Sequence, residues 1–483
     1  MAGSIRDIGV GSIAYVSDTA NNRMVRYNLA TGVYNGWLGA RGDSTGGWTI
    51  ASPMSLLSGR DDQGFYSGTG LAVIGGDLFA ADSSNHRLKR YAVATGSFSG
   101  WVGNIWTPPT GGGAGCSGAA ISTFSPGWCV GGNAKTGTGN GMLNTPQGMY
   151  GDGSYLYVSD QSNHRISKYD AMAGTFLGWI GYVSTTPTSG ASGCSSAAAS
   201  TVTPGWCLGG TSKTGAVTGA LNMPQGIDSD GTNLYVADGT NHRIVKYNKT
   251  TGAVIGWIGK IATSPTGGGA GCAGAVVGTF TPGWCTGGTA ASGTGSGHLN
   301  TPRDMTVSNG NLYIADANHR VSRFTLSSGA FTGWIGKILT TPTSGDAGCA
   351  GAAVNSFTPG WCIGGTATSG SGNGQLNAPK GLWTNGTDLY VADVSNNRIS
   401  KYSLTTGAFV GWFGAVSTVP TGGQSGCSST PVGALTPGWC TGGTAKRGSD
   451  LGMFDAPAYV KGAGVDYLYI TDGNNDRITR IPQ

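Results

Sequence analysis

One pattern is written seven times along this chain: L-Y-V-x-D-x-x-N-[HND]-R-I-x-[KR]-Y, starting around Ile13, Leu78, Leu156, Leu234, Leu312, Leu389 and Leu468. Its aspartates fall at Asp18, Asp82, Asp160, Asp238, Asp316, Asp393 and Asp472, with gaps of 64, 78, 78, 78, 77 and 79 residues. A period this regular means an array of one supersecondary unit, not several unrelated domains. It constrains architecture before composition is consulted.

A single repeat reads as four short strands. Thr145 to Tyr150 is a strand entered through a proline, and Gly151-Asp152-Gly153-Ser154 is turn chemistry. Tyr155 to Ser159 is rich in β-formers, Asp160 to His164 is a polar turn, and Arg165 to Tyr169 alternates. A turn at Ala173-Gly174 leads into Thr175 to Gly181 as the fourth strand. Four antiparallel strands in radial repetition make a propeller blade. The expected fold is therefore all-β: one propeller domain over residues 1–483, with seven four-stranded blades. The blades fall near 4–39, 64–103, 143–181, 221–259, 299–336, 376–414 and 453–483. The last contains three strands and lacks its outer F-x-G-W-x-G strand, and only Met1 to Ser4 precede the first strand of the first blade. Either that outer edge stays open, where it offers an edge for self-association, or the natural chain continues past Gln483.

Long inserts occupy residues 104–142, 182–220, 260–298, 337–375 and 415–452, and each carries one cysteine pair. The pairs are Cys116/Cys129, Cys194/Cys207, Cys272/Cys285, Cys349/Cys362 and Cys427/Cys440, always thirteen residues apart. The connector between the first two blades lacks both partners at once, as a local disulfide predicts. Zinc is the rival reading, but the inserts bring no recurring His or Asp to complete four ligands. Closing a ~15-residue loop contributes about 3 kcal/mol in the chain-entropy model, and disulfides imply an oxidising compartment: extracellular, cell-surface or periplasmic. The inserts join strand four of one blade to strand one of the next. They are expected on the same face as the D-x-x-N-H-R turns, as a stapled crown of loops around a central channel.

The rest of the composition fits. Charged residues are 11% of the chain and Gly is 90 of 483, which suits short strands joined by many turns. The net charge of +5 is dispersed, with no basic arm for nucleic acid. No apolar run approaches the ~18 residues of a membrane span. Met1 to Asp7 has no apolar segment of the signal-peptide kind.

The motifs P-x-G-[MIL], L-Y-V-[AS]-D, N-[HN]-R-[IVL] and G-x-[FV]-x-G-W-[IVF]-G, across all seven repeats, resemble the NHL-repeat family of β-propellers. The resemblance implies a propeller fold. The chain departs from it twice: NHL propellers commonly have six blades, and the cysteine-paired insert is not part of the ordinary repeat. Some NHL-like proteins are enzymes, notably the peptidylglycine amidating lyase, in which histidines from several blades hold a central metal. Others bind RNA through a positive face.

Here the side chains read as structural. His86, His164, His242 and His319 share one turn position with Asn22, Asn397 and Asp476, and Asn, Asp and His are the non-glycine residues most enriched at positive φ. The position therefore selects for a left-handed turn. Asp160, Asn163 and Arg165, like Asp238, Asn241 and Arg243, flank it and are expected to cap it. Only His298 lies outside the turn position, so no three histidines converge, and no catalytic residue, metal site or cofactor is expected. Arg243 and Lys246, three apart on a strand, point to opposite faces and form no basic patch. Trp37, Trp101, Trp179, Trp257, Trp334 and Trp412 are expected in the blade-to-blade core. Trp128, Trp206, Trp284, Trp361 and Trp439 each precede a second cysteine. They either pack on that disulfide or stand exposed as stacking platforms for a sugar or peptide. Two N-glycosylation sequons begin at Asn248 and Asn385. The expected function is an exported, non-catalytic binding or structural module presenting its loops to glycan, peptide or protein. The alternatives are a self-assembling surface or fibre component and a metal-dependent lyase or lactonase-like enzyme.

Overall fold

A computed structural model describes residues 13–19, 22–28, 33–39, 47–50, 59–62, 64–463, 467–475 and 477–483. They form antiparallel sheets in a repeated propeller-like series with no α-helix; short 3-10 turns are the only helical elements. The first sheet holds Ile13–Asp18, Arg23–Asn28 and Tyr34–Gly39. The strand expected ahead of it lies outside the described residues. Five seven-stranded sheets follow, and a three-stranded one closes the series: Pro457–Ala463, Tyr467–Asp472 and Arg477–Pro482.

The third sheet stands for the seven-stranded type. Pro146–Gly151, Tyr155–Asp160, Arg165–Asp170 and Phe176–Thr185 pair in chain order, as the repeat predicts. The other three strands come from the insert, a correction to the four-stranded blade. Cys207–Leu208 pairs with the fourth strand and Ser189–Gly190 pairs with Cys207–Leu208. Thr211–Lys213 pairs further along the same fourth strand. The fourth strand accordingly runs ten residues rather than stopping at Gly181. The disulfide hairpins are thus outward extensions of each sheet. The crown expected around a channel is corrected in the same way: an unpaired fourth-strand edge was available, and a hairpin next in sequence satisfied it.

The second cysteine of every pair shows the correction residue by residue. Cys129, Cys207, Cys285, Cys362 and Cys440 are expected in connecting loops, but each is a fully buried strand residue. They stand opposite Trp101, Trp179, Trp257, Trp334 and Trp412 of the fourth strands, in that order. The first cysteines, Cys116, Cys194, Cys272, Cys349 and Cys427, are also buried but belong to no strand.

Tyr155–Asp160 opens with four consecutive apolar or aromatic residues because the sheet is covered on both faces: every residue after Tyr155 is buried. The cores lie between successive sheets. Ile74, Phe79 and Leu88 of the second sheet pack with Met149, Leu156 and Val158 of the third. Ala315, Val321 and Ile335 of the fifth pack with Leu382, Leu389 and Val391 of the sixth. The P-x-G glycine is fixed by this stacking: a Cβ on Gly148 would sit 2.2 Å from the Gln225 carbonyl oxygen.

The chain divides into two compact units. The first comprises residues 3–236 and 246–254, and the second residues 237–245 and 255–483, with residues 1 and 2 assigned one to each. In each, the first strands of consecutive sheets lie side by side: Gly68–Ile74, Pro146–Gly151 and Pro224–Ser229 in one, and Asp304–Ser308, Pro379–Thr384 and Pro457–Ala463 in the other. That is the blade-to-blade packing of a β-propeller.

Candidate functional site

The repeated turn is where sequence places the most chemistry, and its geometry accounts for every member. Asp160 ends the second strand fully buried. One carboxylate oxygen accepts from the Asn144 N–H at 2.7 Å; the other accepts from Asn163 Nδ2 at 2.9 Å and Arg165 Nε at 2.8 Å. Burial pushes the Asp160 carboxyl up, against the pull of Arg165 and these donors. The Arg165 guanidinium also donates to the Thr138 and Gly139 carbonyls, fastening the tail of the preceding insert over the turn. Asp238, Asn241 and Arg243 repeat the arrangement, with Asn241 Nδ2 at 2.8 Å and Arg243 Nε at 2.9 Å from Asp238.

The histidines are left-handed, with φ of 56° at His86, 55° at His164, 56° at His242 and 61° at His319. They also do something the sequence reading missed. Each Nδ1 accepts a backbone N–H from the next sheet: Thr145 to His86 at 3.1 Å, Met223 to His164 at 3.2 Å, Thr301 to His242 at 3.0 Å and Ala378 to His319 at 2.9 Å. Asn22 Oδ1 accepts from Ser67 and Asn397 Oδ1 from Ala456 in the same way. The His/Asn alternation was the available signal, since both carry an acceptor at that reach. Asp476 lies outside the described residues. Burial lowers all four histidines below the usual imidazole value.

The fifth sheet departs from the rule. Its turn is one residue shorter, with Asp316 and Arg320 four apart. Arg320 Nε is buried without a partner, and Asp316 is held instead by Asn318 and the Asn300 N–H. Burial pushes Asp316 up to about 6. His298 stands apart from the turn histidines, lowered to about 4 by burial with Lys260 and Arg320 nearby. No group of three His, Cys, Asp or Glu side chains among the described residues could hold a metal ion.

The cysteines bond as their spacing predicts: Cys116 to Cys129, Cys194 to Cys207, Cys272 to Cys285, Cys349 to Cys362 and Cys427 to Cys440. Their Cα–Cα distances are 5.3 to 5.5 Å. What differs from the sequence reading is their setting, at the outer edge of a sheet and not in a crown. The two tryptophan sets exchange the roles expected of them. Trp101 clusters with Cys116 and Cys129, and Trp412 with Cys427 and Cys440. The strand-four indoles donate Nε1 to the hairpin turn that follows the second cysteine, as Trp179 does to the Gly209 carbonyl at 2.9 Å. The pre-cysteine tryptophans instead reach the next sheet. Trp128 Nε1 donates to the Ala171 carbonyl, Trp206 to Lys249, Trp284 to Leu326 and Trp361 to Leu404. Trp128, Trp206, Trp284, Trp361 and Trp439 are 5%, 7%, 4%, 0% and 4% exposed, which leaves almost no face for a ligand to stack on. Trp206 immediately precedes Cys207, the first residue of its strand, and the two side chains face opposite ways. Trp179, directly opposite Cys207 in the register, shares its face. The same alternation separates Arg165, 5.9 Å from the Trp179 ring, from Lys168, 5.4 Å from Trp206, and leaves neither as part of a basic surface.

What the inserts do expose is small and repeated. The fifth residue after each first cysteine is Ile121, Ala199, Val277, Val354 or Val432, and the four larger ones are 60%, 55%, 48% and 59% exposed. A groove of about 390 Å³ lies beside one hairpin, lined by Gly269, Pro282, Gly283, Trp284 and Ser328.

No family model matches the chain, and no curated protein does. Among solved structures it is similar to BamB from Moraxella catarrhalis, at 10% identity and a TM-score of 0.41, over 100% of this chain and 84% of that one. It is also similar to the computationally designed Ika8 protein, at 8% identity and a TM-score of 0.45, over 100% of this chain and 96% of that one. No helix among the described residues is long and apolar enough to cross a membrane.

Proposed function

We propose that this chain is an exported, non-catalytic scaffold of the NHL propeller type, whose disulfide hairpins present a repeated contact surface to a protein, peptide or glycan partner. The observation that carries the reading is the large apolar side chain exposed at one position in four of the five hairpins, Ile121, Val277, Val354 and Val432, with Ala199 at that position in the other. Single exposed apolar residues are ordinary; the same position left apolar and exposed in successive hairpins is not explained by packing. The turn side chains support the reading from the other direction, since each described His, Asp and Arg of the motif is bound to neighbouring protein groups. The test is a variant with Ile121→Ser, Val277→Ser, Val354→Ser and Val432→Ser. Stability is expected to stay within about 0.5 kcal/mol, as for surface substitutions, while binding in glycan-array and protein pull-down screens is lost. Undiminished binding by this variant removes the proposal.

A second reading, self-association, draws on the last sheet. Among the described residues no fourth strand pairs with Arg477–Pro482, and the Arg477 side chain is 26% exposed where that of Arg165 is 0%. Analytical ultracentrifugation separates the two: a monomer across the micromolar range removes this second reading.

A further inference from the structure

The groove beside Trp284 acquires a meaning when the five hairpins are superposed by sequence. Two positions face each other in each: the residue three before the first cysteine, and the glycine before the tryptophan. The first is Gly113, Ala191, Gly269, Asp346 or Gln424. In the fourth hairpin Asp346 Oδ2 accepts the Trp361 N–H at 2.9 Å, and a Cβ on Gly360 would lie 2.8 Å from the Asp346 Cβ. In the fifth, Gln424 Oε1 accepts the Trp439 N–H at 3.0 Å and fills the space before Gly438. In the second only the Ala191 methyl stands there, 2.8 Å from a Cβ on Gly205. In the first and third no side chain does: a Cβ on Gly127 would meet only the Ala173 carbonyl oxygen, and one on Gly283 only the Ser328 backbone. The protein therefore carries two hairpins with this space occupied by its own acceptor side chain. In the third the space is open and forms a groove of about 390 Å³, within the size range of small-ligand sites.

We propose that the groove at Gly269 and Trp284 binds a carboxamide or carboxylate side chain (Gln, Asn, Glu or Asp) of a partner polypeptide, in the place that Asp346 and Gln424 take in the next two hairpins. This rests on the binding-scaffold reading and gives it a partner chemistry. One donor would have to change partner: the Trp284 N–H is bonded to the Ser328 carbonyl at 3.0 Å and would turn to the incoming oxygen, as its counterparts donate to Asp346 and Gln424. Ser327 and Ser328 line the same groove. Ile255 and Pro282 supply apolar wall for the methylene stem.

The test fills the groove with the protein's own plug. A Cβ on Gly269 has its nearest neighbours at 3.7 and 3.9 Å, ordinary contact distances, so Gly269→Asp is tolerated. Backbone amide spectra are recorded against a Gly-Ser peptide carrying one central Gln, against its Leu counterpart, and against chitotriose, whose N-acetyl groups also carry a carboxamide. The Gln peptide is expected to shift the Gly283 and Trp284 signals saturably. The Leu peptide and the Gly269→Asp protein are each expected to bind more weakly by about tenfold, the scale of a lost hydrogen bond. Asp346→Gly is expected to open a second response at Gly360 and Trp361, and it decides the matter alone should Gly269→Asp unfold. Equal shifts in wild type and Gly269→Asp, or a response to chitotriose alone, overturn the proposal. A partner retained by Gly269→Asp but lost with the hairpin-tip variant overturns the groove and leaves the scaffold reading standing.

Discussion

At the turn, one ring nitrogen serves as a hydrogen-bond acceptor for the next sheet. His86, His164, His242 and His319 each hold an N–H of a residue that is itself left-handed: Thr145, Met223, Thr301 and Ala378 have φ of 53°, 55°, 46° and 52°. A strained backbone position and an acceptor on the next sheet thus over-determine each other. Protonating Nδ1 removes the acceptor. Burial depresses these imidazoles, so the unfolded chain, with a His value near 6.5, binds their protons first. Their contribution is complete above about pH 6.5 and is lost as pH falls through that value toward the folded one. Charged neighbours modulate this at two positions: Arg60 and Asp82 at His86, and Arg303 and Asp393 at His319. Asp316, raised to about 6, acts in the opposite sense and is common to both proteins compared. Replacing all four histidines by Asn, the residue already present at Asn22 and Asn397, is expected to flatten the fall in urea midpoint between pH 7 and pH 5. A slope identical to wild type would count against the role given to Nδ1.

The buried carboxylates make a sharper residue-scale comparison. Asp160→Asn leaves Arg165 fully buried with no counter-charge and is expected to cost about 3–5 kcal/mol. Asp316→Asn also strips a buried arginine of its carboxylate, but it breaks no bond to Arg320 Nε, which has none, and is expected to cost less by about that one charge-assisted hydrogen bond, roughly 1.5–3 kcal/mol. Denaturant titrations of the two variants measure the difference; equal costs would mean that the one-residue deletion in the fifth turn is immaterial.

Among the elements, strands two and three were legible because their apolar runs and turn residues are local signals. Tyr155–Asp160 and Arg165–Asp170 begin and end within a residue of where sequence puts them. The hairpin strands were not legible: Cys207–Leu208 and Ser189–Gly190 are two residues each, in Gly-rich sequence, and exist because the fourth strand offers an edge. The same holds for Cys285 and Cys362, whose bonding partners were readable from spacing and whose strand partners, Trp257 and Trp334, were not. The tryptophan assignment lay between these cases. Alternation alone places Trp206 and Cys207 on opposite faces, but knowing that Cys207 stands opposite Trp179 needs the register. The exchange of roles has a measurable consequence. Trp179→Ala and Trp206→Ala are each expected to cost about 3–5 kcal/mol, with different footprints in hydrogen exchange. Trp179→Ala is expected to deprotect the hairpin around 207–213, and Trp206→Ala the turn at 249–251, where the Lys249 carbonyl accepts from Trp206 Nε1 at 3.1 Å. Matching footprints would contradict the assignment.

For the whole molecule, the repeat spacing carried the architecture and hid the contact surface. Seven copies of one motif make an array, and an array stabilises by neighbour packing, so the most repeated side chains are the most internal ones. The apolar cores lie between sheets, as where Ile74 meets Leu156, whereas the disulfides lie in hairpins at the outer edges. The five disulfides therefore should not behave as global staples. Each closes a loop worth about 3 kcal/mol in the chain-entropy model, but that sum applies only to a chain that unfolds as one body, and peripheral hairpins open as local units. Mild reduction is accordingly expected to raise exchange at Cys207–Leu208, Thr211–Lys213 and their counterparts, while Tyr155–Asp160 and Leu389 to Asp393 keep their protection. Loss of protection throughout the sheets on reduction would place the hairpins within the folding core, and with them the apolar tips and the Trp284 groove.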